Sequence, residues 1–200
     1  MNDAPAHHHW RHELGDPALG SQQTFRAVFT AMEHPGQLVT IRQDPYAPVI
    51  FNSASAAICL TLLDYETTVW TDINWPSPAI NWLQFGCNSS VVTDPCMANF
   101  AIVTKPATMP ALEYFRIGRY EYFENATTIL VQVDDIFPVV EYKRSGNWVD
   151  EIFQLELKGV PRHFWHQWRH LSGMHPLGID IFFTCEDVLT VLPKTSPIEN

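Results

Sequence analysis

From about residue 21 to residue 133 the chain alternates between two kinds of apolar spacing, and this alternation limits the fold more than any other feature. In "SQQTFRAVFTAMEHPG", Phe25, Val28, Phe29 and Met32 recur at helical intervals, with Ser21 as a candidate N-cap and Pro35-Gly36 as the stop. "QLVTIR" then reads as a strand, "SASAAICLTLL" as a helix and "TTVWT" as a strand. A helix from about Ala79 to Phe85 follows. After it come the strand "NFAIVT", a short helix around "PALEYF" and the apolar strand "TTILVQV". Strands that alternate with helices form a sheet covered on both faces, so the fold class is α/β.

The last fifty residues break the pattern. Residues 151 to 158 read as a strand and "PRHFWHQWRHL" as a helix, and "HPLGIDIFFTCEDVLTVLP" reads as two strands joined by a turn at Cys185-Glu186-Asp187. A hairpin adds antiparallel pairing, so the sheet is expected to be mixed. With 46% hydrophobic and 17% charged residues the chain is globular, and its length suits one domain.

Charge narrows the partners. A formal net charge of -10 repels nucleic acid and anionic membrane surfaces. An anionic small molecule remains open, provided a few cations converge on it. The four cysteines stand apart with no CxxC pair, as in a reduced protein, and no apolar run has the length of a membrane span. A cytoplasmic location is expected. The sequons at Asn88 and Asn125 are then chance matches.

Catalytic signatures are absent: GxGxxG, GxxxxGK[ST] and GxSxG do not occur. His163, His166 and His170 share one face of the proposed helix, but Gln167 stands where a zincin has its glutamate, so a solvated face is the better reading and no metal is expected. The "HHHWRH" run at 7 to 12 suits adventitious metal binding only. Arg26 lies one residue off the apolar stripe of the first helix and reads as a surface cation, and Asp64 closes a turn after an apolar helix. Glu121, Glu124, Asp134 and Asp135 supply carboxylates at no spacing that marks an acid and base pair.

Several stretches together resemble a known family. "TFRAVFTAMEHPG" carries Phe25-Arg26, Met32 and Pro35-Gly36; "AAICLTLLDYETTVW" carries Asp64, Thr68 and Trp70; "NATTILVQV", "FWHQWRHL" and finally "HPLGIDIFFTCEDVLTVLPKTS" follow in the same order. These segments resemble the PhnH family, the H subunits of the bacterial carbon-phosphorus lyase system for phosphonate breakdown. The likeness covers residues 21 to 196, leaving 1–20 as a flexible N-terminal segment and 197–200 as a tail. It departs at Phe85-Gly86-Cys87 with Ser89-Ser90, near Glu124, and at Pro193-Lys194-Thr195, where Lys194 replaces a usual arginine.

The resemblance implies a three-layer α/β/α sandwich similar to the large domain of pyridoxal-phosphate-dependent transferases, without the cofactor. Lys105, Lys143, Lys158 and Lys194 are the lysines at hand for a Schiff base, and none stands in a cofactor motif. It further implies a homodimer that assembles with the G, I and J subunits. With the G, I and L subunits it would help form ribose 1-methylphosphonate 5-triphosphate from ATP and methylphosphonate, as a subunit without catalytic residues of its own. Two alternatives stand beside this: an enzyme or binding subunit for phosphonate or nucleotide that uses Arg26, Arg169 and Lys194 as anion anchors, and a divergent metal-binding protein built on the histidines. In the terminal motif, Pro176 and Gly178 shape the entry to a strand, and Asp180 holds a neighbouring backbone or an arginine. Phe25, Met32, Pro35, Gly36, Asp64, Trp70, Pro176, Gly178 and Asp180 are accordingly read as structural.

Overall fold

The computed structural model describes residues 17–41, 47–118, 125–145, 148–172, 174 and 177–196. Helix α1 runs from Pro17 to Glu33. Proline suits the first turn, where its missing N–H is not needed. The helix begins upstream of Ser21, which lies inside it rather than at its N-cap. The helix ends as the sequence suggests, with Gly36 at φ 84 and its N–H directed to the Val191 carbonyl.

The apolar stripe of α1 divides in two. Thr24, Val28 and Ala31 are buried, whereas Phe25 and Phe29 are more than half exposed and Met32 is partly buried. The helix lies against α2 (Ser53–Leu62), β1 (Val39–Thr40) and β9 (Val188–Leu192). Its smaller residues fill that seam, and the rings remain on the flank.

The remaining elements are β2 (Thr68–Thr71), α3 (Pro78–Phe85), β3 (Ser90–Val92), β4 (Phe100–Val103), β5 (Thr128–Gln132), β6 (Asp135–Ser145), β7 (Trp148–Lys158), α4 (Arg162–Ser172) and β8 (Asp180–Cys185). The central sheet has seven strands in the order β1-β9-β8-β5-β4-β2-β3. Strands β3, β2, β4, β5 and β8 run parallel, β9 is antiparallel to β8, and β1 is antiparallel to β9. The sheet is mixed, as the C-terminal hairpin requires.

Each inner strand divides its residues between two cores. In β4, Phe100 and Ile102 pack with α1, α2 and α3, while Ala101 and Val103 pack with α4 and the 3-10 turn at Leu112–Tyr114. In β8, Phe182 faces the first core; Ile181 and Phe183 face the second, where Phe164 meets Phe183 edge to face at 5.8 Å. Helices thus cover both faces of the sheet, and strands buried on both sides read as continuous apolar runs.

Two strands lie outside the expected set. β3 is a three-residue edge strand, too short to show a period. β6 pairs with β7 as a separate two-stranded sheet, with Asp135 opposite Lys158 and Ser145 opposite Trp148. The expected helix at "PALEYF" is only that 3-10 turn.

Candidate functional site

In an open α/β sheet, ligands usually sit beyond the carboxyl ends of the strands where the chain changes direction of travel. Here that point lies between β2 and β4, because the chain leaves β2 for the edge strand β3 and leaves β4 for β5. Asp72, the residue after β2, occupies it. Its Oδ1 accepts from the Thr104 N–H and Thr104 Oγ1, each at 2.9 Å, and its Oδ2 accepts from the Lys105 N–H at 2.8 Å. The chain's own carboxylate closes the crevice.

An open cleft of about 500 Å³ lies next to it. Its floor comes from Thr104 beyond β4, Gln132 to Asp134 at the end of β5, and Cys185-Glu186 at the end of β8; one wall is the segment Val49 to Ser53 that leads into α2. The Gln132 amide fastens this segment to the sheet: Nε2 donates to the Ile50 carbonyl at 2.9 Å and Oε1 accepts from the Asn52 N–H at 2.6 Å. Asn52 then caps α2, its Oδ1 accepting from the Ser55 N–H at 2.8 Å, while its Nδ2 donates to Thr184 Oγ1. Thr184 also shares a 2.7 Å hydrogen bond with Ser55 Oγ. The groups that fix the cleft are satisfied by one another.

The field in the cleft is negative. The Cys185 thiol is held above its usual range, first by burial and then by the carboxylates of Asp135, Glu186, Asp134 and Asp187. A thiol kept protonated is a weak nucleophile. Its Sγ lies 3.5 Å from the Asp134 carbonyl.

Of the residues singled out in the sequence, Asp134 and the turn residues Cys185 and Glu186 line the cleft, and the candidate anion anchors and the α4 histidines lie elsewhere. Arg26 is exposed on α1, on one face of the sheet, and Arg169 is exposed on α4, on the other. Lys194 follows β9 beside the start of β8, at the end of the sheet away from the cleft. The three candidate anion anchors therefore share no pocket. On α4, His163, His166 and His170 are exposed, and His166 Nδ1 lies 3.3 Å from Arg169 Nη2. Among the described residues no group of three His, Cys, Asp or Glu is placed to share a metal ion.

The terminal motif is built around Lys194. Asp180 Oδ1 accepts from the Lys194 N–H at 2.8 Å, and Gly178, at φ 142, lies so close that a Cβ there would meet the Lys194 Cβ at 2.9 Å. The Gly178 N–H reaches the Ile117 carbonyl at 3.0 Å. Asp180 opens β8 and Cys185 closes it, about 16 Å apart at the usual rise per residue, so this motif does not line the cleft. Asp64 closes a turn by accepting from the Glu66 N–H and Thr67 Oγ1, and its pKa is lowered chiefly by that hydroxyl. Trp70 is buried edge to face with Phe115. Pro176, Glu121, Glu124 and the histidines at 7 to 9 and 12 lie outside the described residues.

Of the cleft residues, Cys185 and Glu186 fall in the turn read from the sequence, and Asn52 carries the signal of an N-cap before an apolar helix in "NSASAAICL". Gln132 and Thr184 meet it across 80 and 132 residues and belong to no local pattern.

Comparison with known proteins agrees with the motifs. A relative from Rhizobium meliloti (strain 1021), named "Alpha-D-ribose 1-methylphosphonate 5-triphosphate synthase subunit PhnH", is 27% identical over 192 residues, covering 93% of this chain and 94% of that protein. A Stutzerimonas stutzeri relative, named "Putative C-P lyase subunit protein HtxG", is 24% identical over 198 residues, covering 99% of this chain and 94% of its own. The family model described as bacterial phosphonate metabolism protein (PhnH) matches residues 12–199, and the chain belongs to that family.

Proposed function

We propose that this chain is a non-catalytic assembly subunit of the carbon-phosphorus lyase system. In this reading it acts with the G, I and L subunits in making ribose 1-methylphosphonate 5-triphosphate from ATP and methylphosphonate. It does so as a homodimer joined to the G, I and J subunits in the cytoplasm. No helix among the described residues is long and apolar enough to cross a membrane. Helices on both faces of a mainly parallel sheet support kinship with the large domain of pyridoxal-phosphate-dependent transferases.

One observation carries the reading. The cleft where such a sheet would hold a substrate is lined by carboxylates and a protonated thiol, and its hydrogen-bonding groups are already used to hold α2 on the sheet. A polyanion such as a nucleoside triphosphate is repelled there rather than bound.

The test is co-expression with the G, I and J subunits of the same genome, followed by size-exclusion chromatography with light scattering and assay of the reconstituted system. Co-elution in one assembly is expected, with Cys185→Ser keeping turnover within about twofold, since the thiol has no chemical role. A well-folded Cys185→Ser assembly with activity reduced about a hundredfold or more would refute the non-catalytic reading.

A further inference from the structure

Helix α4 turns a face of one sign to solvent. Arg162, His163, His166, Arg169 and His170 are all exposed, and no aspartate or glutamate stands among the eleven residues of the helix. Phe164, Trp168 and Leu171 anchor the opposite side in the second core, which fixes the direction of the outer one. From Arg162 to His170 the face runs about 12 Å at the usual helical rise.

This arrangement works against the helix itself. A solvated helix face ordinarily mixes signs, with a carboxylate one turn from each cation, and carboxylates are favoured in the first turn, where the backbone N–H groups carry partial positive charge. Here the first turn holds Arg162 and His163 and no acidic residue. Arg162 and His166 stand one turn apart, as do His166 and His170, with no counter-charge on the helix between them. The 3-10 turn at Leu112–Tyr114, which packs against α4, brings one carboxylate, Glu113, itself exposed; its other polar link, from the Leu112 N–H to Gln167 Oε1 at 2.9 Å, is neutral. In a chain of net charge -10 the face gathers the minority sign. Residue choices that break a local rule are found where function requires them.

Part of the face is already set. Arg169 lies back along the helix, its Nε donating to the Trp165 carbonyl and its Nη2 to His166 Nδ1, each at 3.3 Å. A guanidinium only donates, so His166 carries its proton on Nε2 and keeps a donor there. Trp165, edge to face with Phe164 at 5.1 Å, and the exposed Tyr114 add aromatic surface of the kind that anchors interfaces.

Charge and shape select the occupant. The face is the outside of a helix rather than a pocket, so a free carboxylate or phosphate meets one or two exposed cations, and such pairs are weak and screened by salt. Nucleic acid and anionic membranes meet the repulsion of the whole molecule. An ordered run of Asp and Glu side chains on another protein engages several cations at once and supplies the carboxylates that the helix lacks.

We infer that the outer face of α4 docks an acidic segment of a partner subunit, with Arg162, His166 and Arg169 at its centre. This rests on the assembly reading above and adds the surface by which the chain is held.

The test uses the full-length chain and co-expressed G, I and J subunits, with sedimentation and light scattering giving the Kd of the complex. Arg162→Glu with Arg169→Glu raises the Kd about tenfold or more, and added salt weakens the parent complex more steeply than this variant's. Lys105→Glu with Lys158→Glu makes the same change in net charge at exposed positions off this helix and leaves the Kd within about twofold. If the reversed chain does not fold by circular dichroism, Arg162→Gln with Arg169→Gln decides, with the Kd raised about threefold or more. Calorimetry of the chain alone with inorganic tripolyphosphate gives no saturable heat; stoichiometric binding that the reversal removes would overturn the acidic segment in favour of a free polyanion. A parent chain that fails to join well-folded partners overturns the assembly reading and the docking face together. A parent that joins them, with the α4 reversal binding within about twofold or no more weakly than the lysine control, overturns the docking face and leaves the assembly standing.

Discussion

Replacing Gly178 with alanine tests whether the terminal motif is a structural joint. Two costs follow from its geometry. A residue with a Cβ at φ 142 leaves the comfortable region of backbone space, at about 1–3 kcal/mol. The new methyl also meets the Lys194 Cβ at 2.9 Å, well inside the usual carbon separation of about 3.5–4.0 Å. Relieving that contact displaces the Lys194 backbone and weakens its 2.8 Å hydrogen bond to the Asp180 carboxylate, a charged bond worth about 1.5–3 kcal/mol when intact. Since the strain and the displacement partly relieve each other, a loss of about 2–4 kcal/mol is expected, or a fall in Tm of roughly 6–12 °C for a chain of this size. Gly20→Ala is the control. It lies within α1, where an added methyl meets nothing within 4 Å, and alanine there gains about 0.5–1 kcal/mol from helix propensity. Thermal melts of the two variants should move in opposite directions. A Gly178→Ala protein that melts within about 1 °C of the parent refutes the close approach.

Two further outcomes follow from a hydrogen-bonded carboxylate and a buried thiol. Asp72→Ala leaves the Thr104 and Lys105 N–H groups without their acceptor and should cost about 2–4 kcal/mol, with Asp72→Asn costing less, because one carbonyl oxygen remains; urea denaturation measures both. The Cys59 thiol has its pKa raised well above 9.0, by burial first and by Cys87 second. A raised pKa means that the folded state holds its proton more tightly, so this stabilisation is complete below pH 9 and is lost as pH rises beyond it. Denaturation midpoints from pH 7 to 10.5 should fall at the alkaline end, and less steeply in Cys59→Ala. Parallel curves for the two proteins would show that the thiol is not responsible.

The inner sheet was legible because its strands are buried on both faces: "FAIV" and "TILV" have no polar interruption, and the helices between them carry ordinary caps and stops. The packing of α1 was not legible. A 3.6-residue period gives the width of an apolar stripe but not which part of it meets the neighbour, and only the seam with α2 selects Val28 and Ala31 over Phe25 and Phe29. β6 leaves little trace in the sequence because Pro138 and the run Glu141 to Arg144 blur its alternation, whereas residues 151 to 158 of its partner β7 keep a strand pattern. The cleft is hidden in the sequence for another reason. Gln132, Asn52 and Thr184 are ordinary polar residues whose significance comes from meeting across the sheet, and linear spacing carries no trace of that.

Strand order also sets a timetable for synthesis. Val39 in β1 pairs with Leu189 in β9, and the Gly36 N–H is directed to the Val191 carbonyl, so the first strand and the stop of the first helix bind to the last strand to be made. Nearly the whole chain must leave the ribosome before α1 and β1 can dock. Until then α1 has only α2 to pack against and β1 lacks its partner strand, an adhesive surface during the interval in which such chains misassociate. The middle of the sheet, from β2 to β5, involves much shorter sequence separations and can form first. Loss of a few residues from β9 would therefore be felt at both ends of the chain.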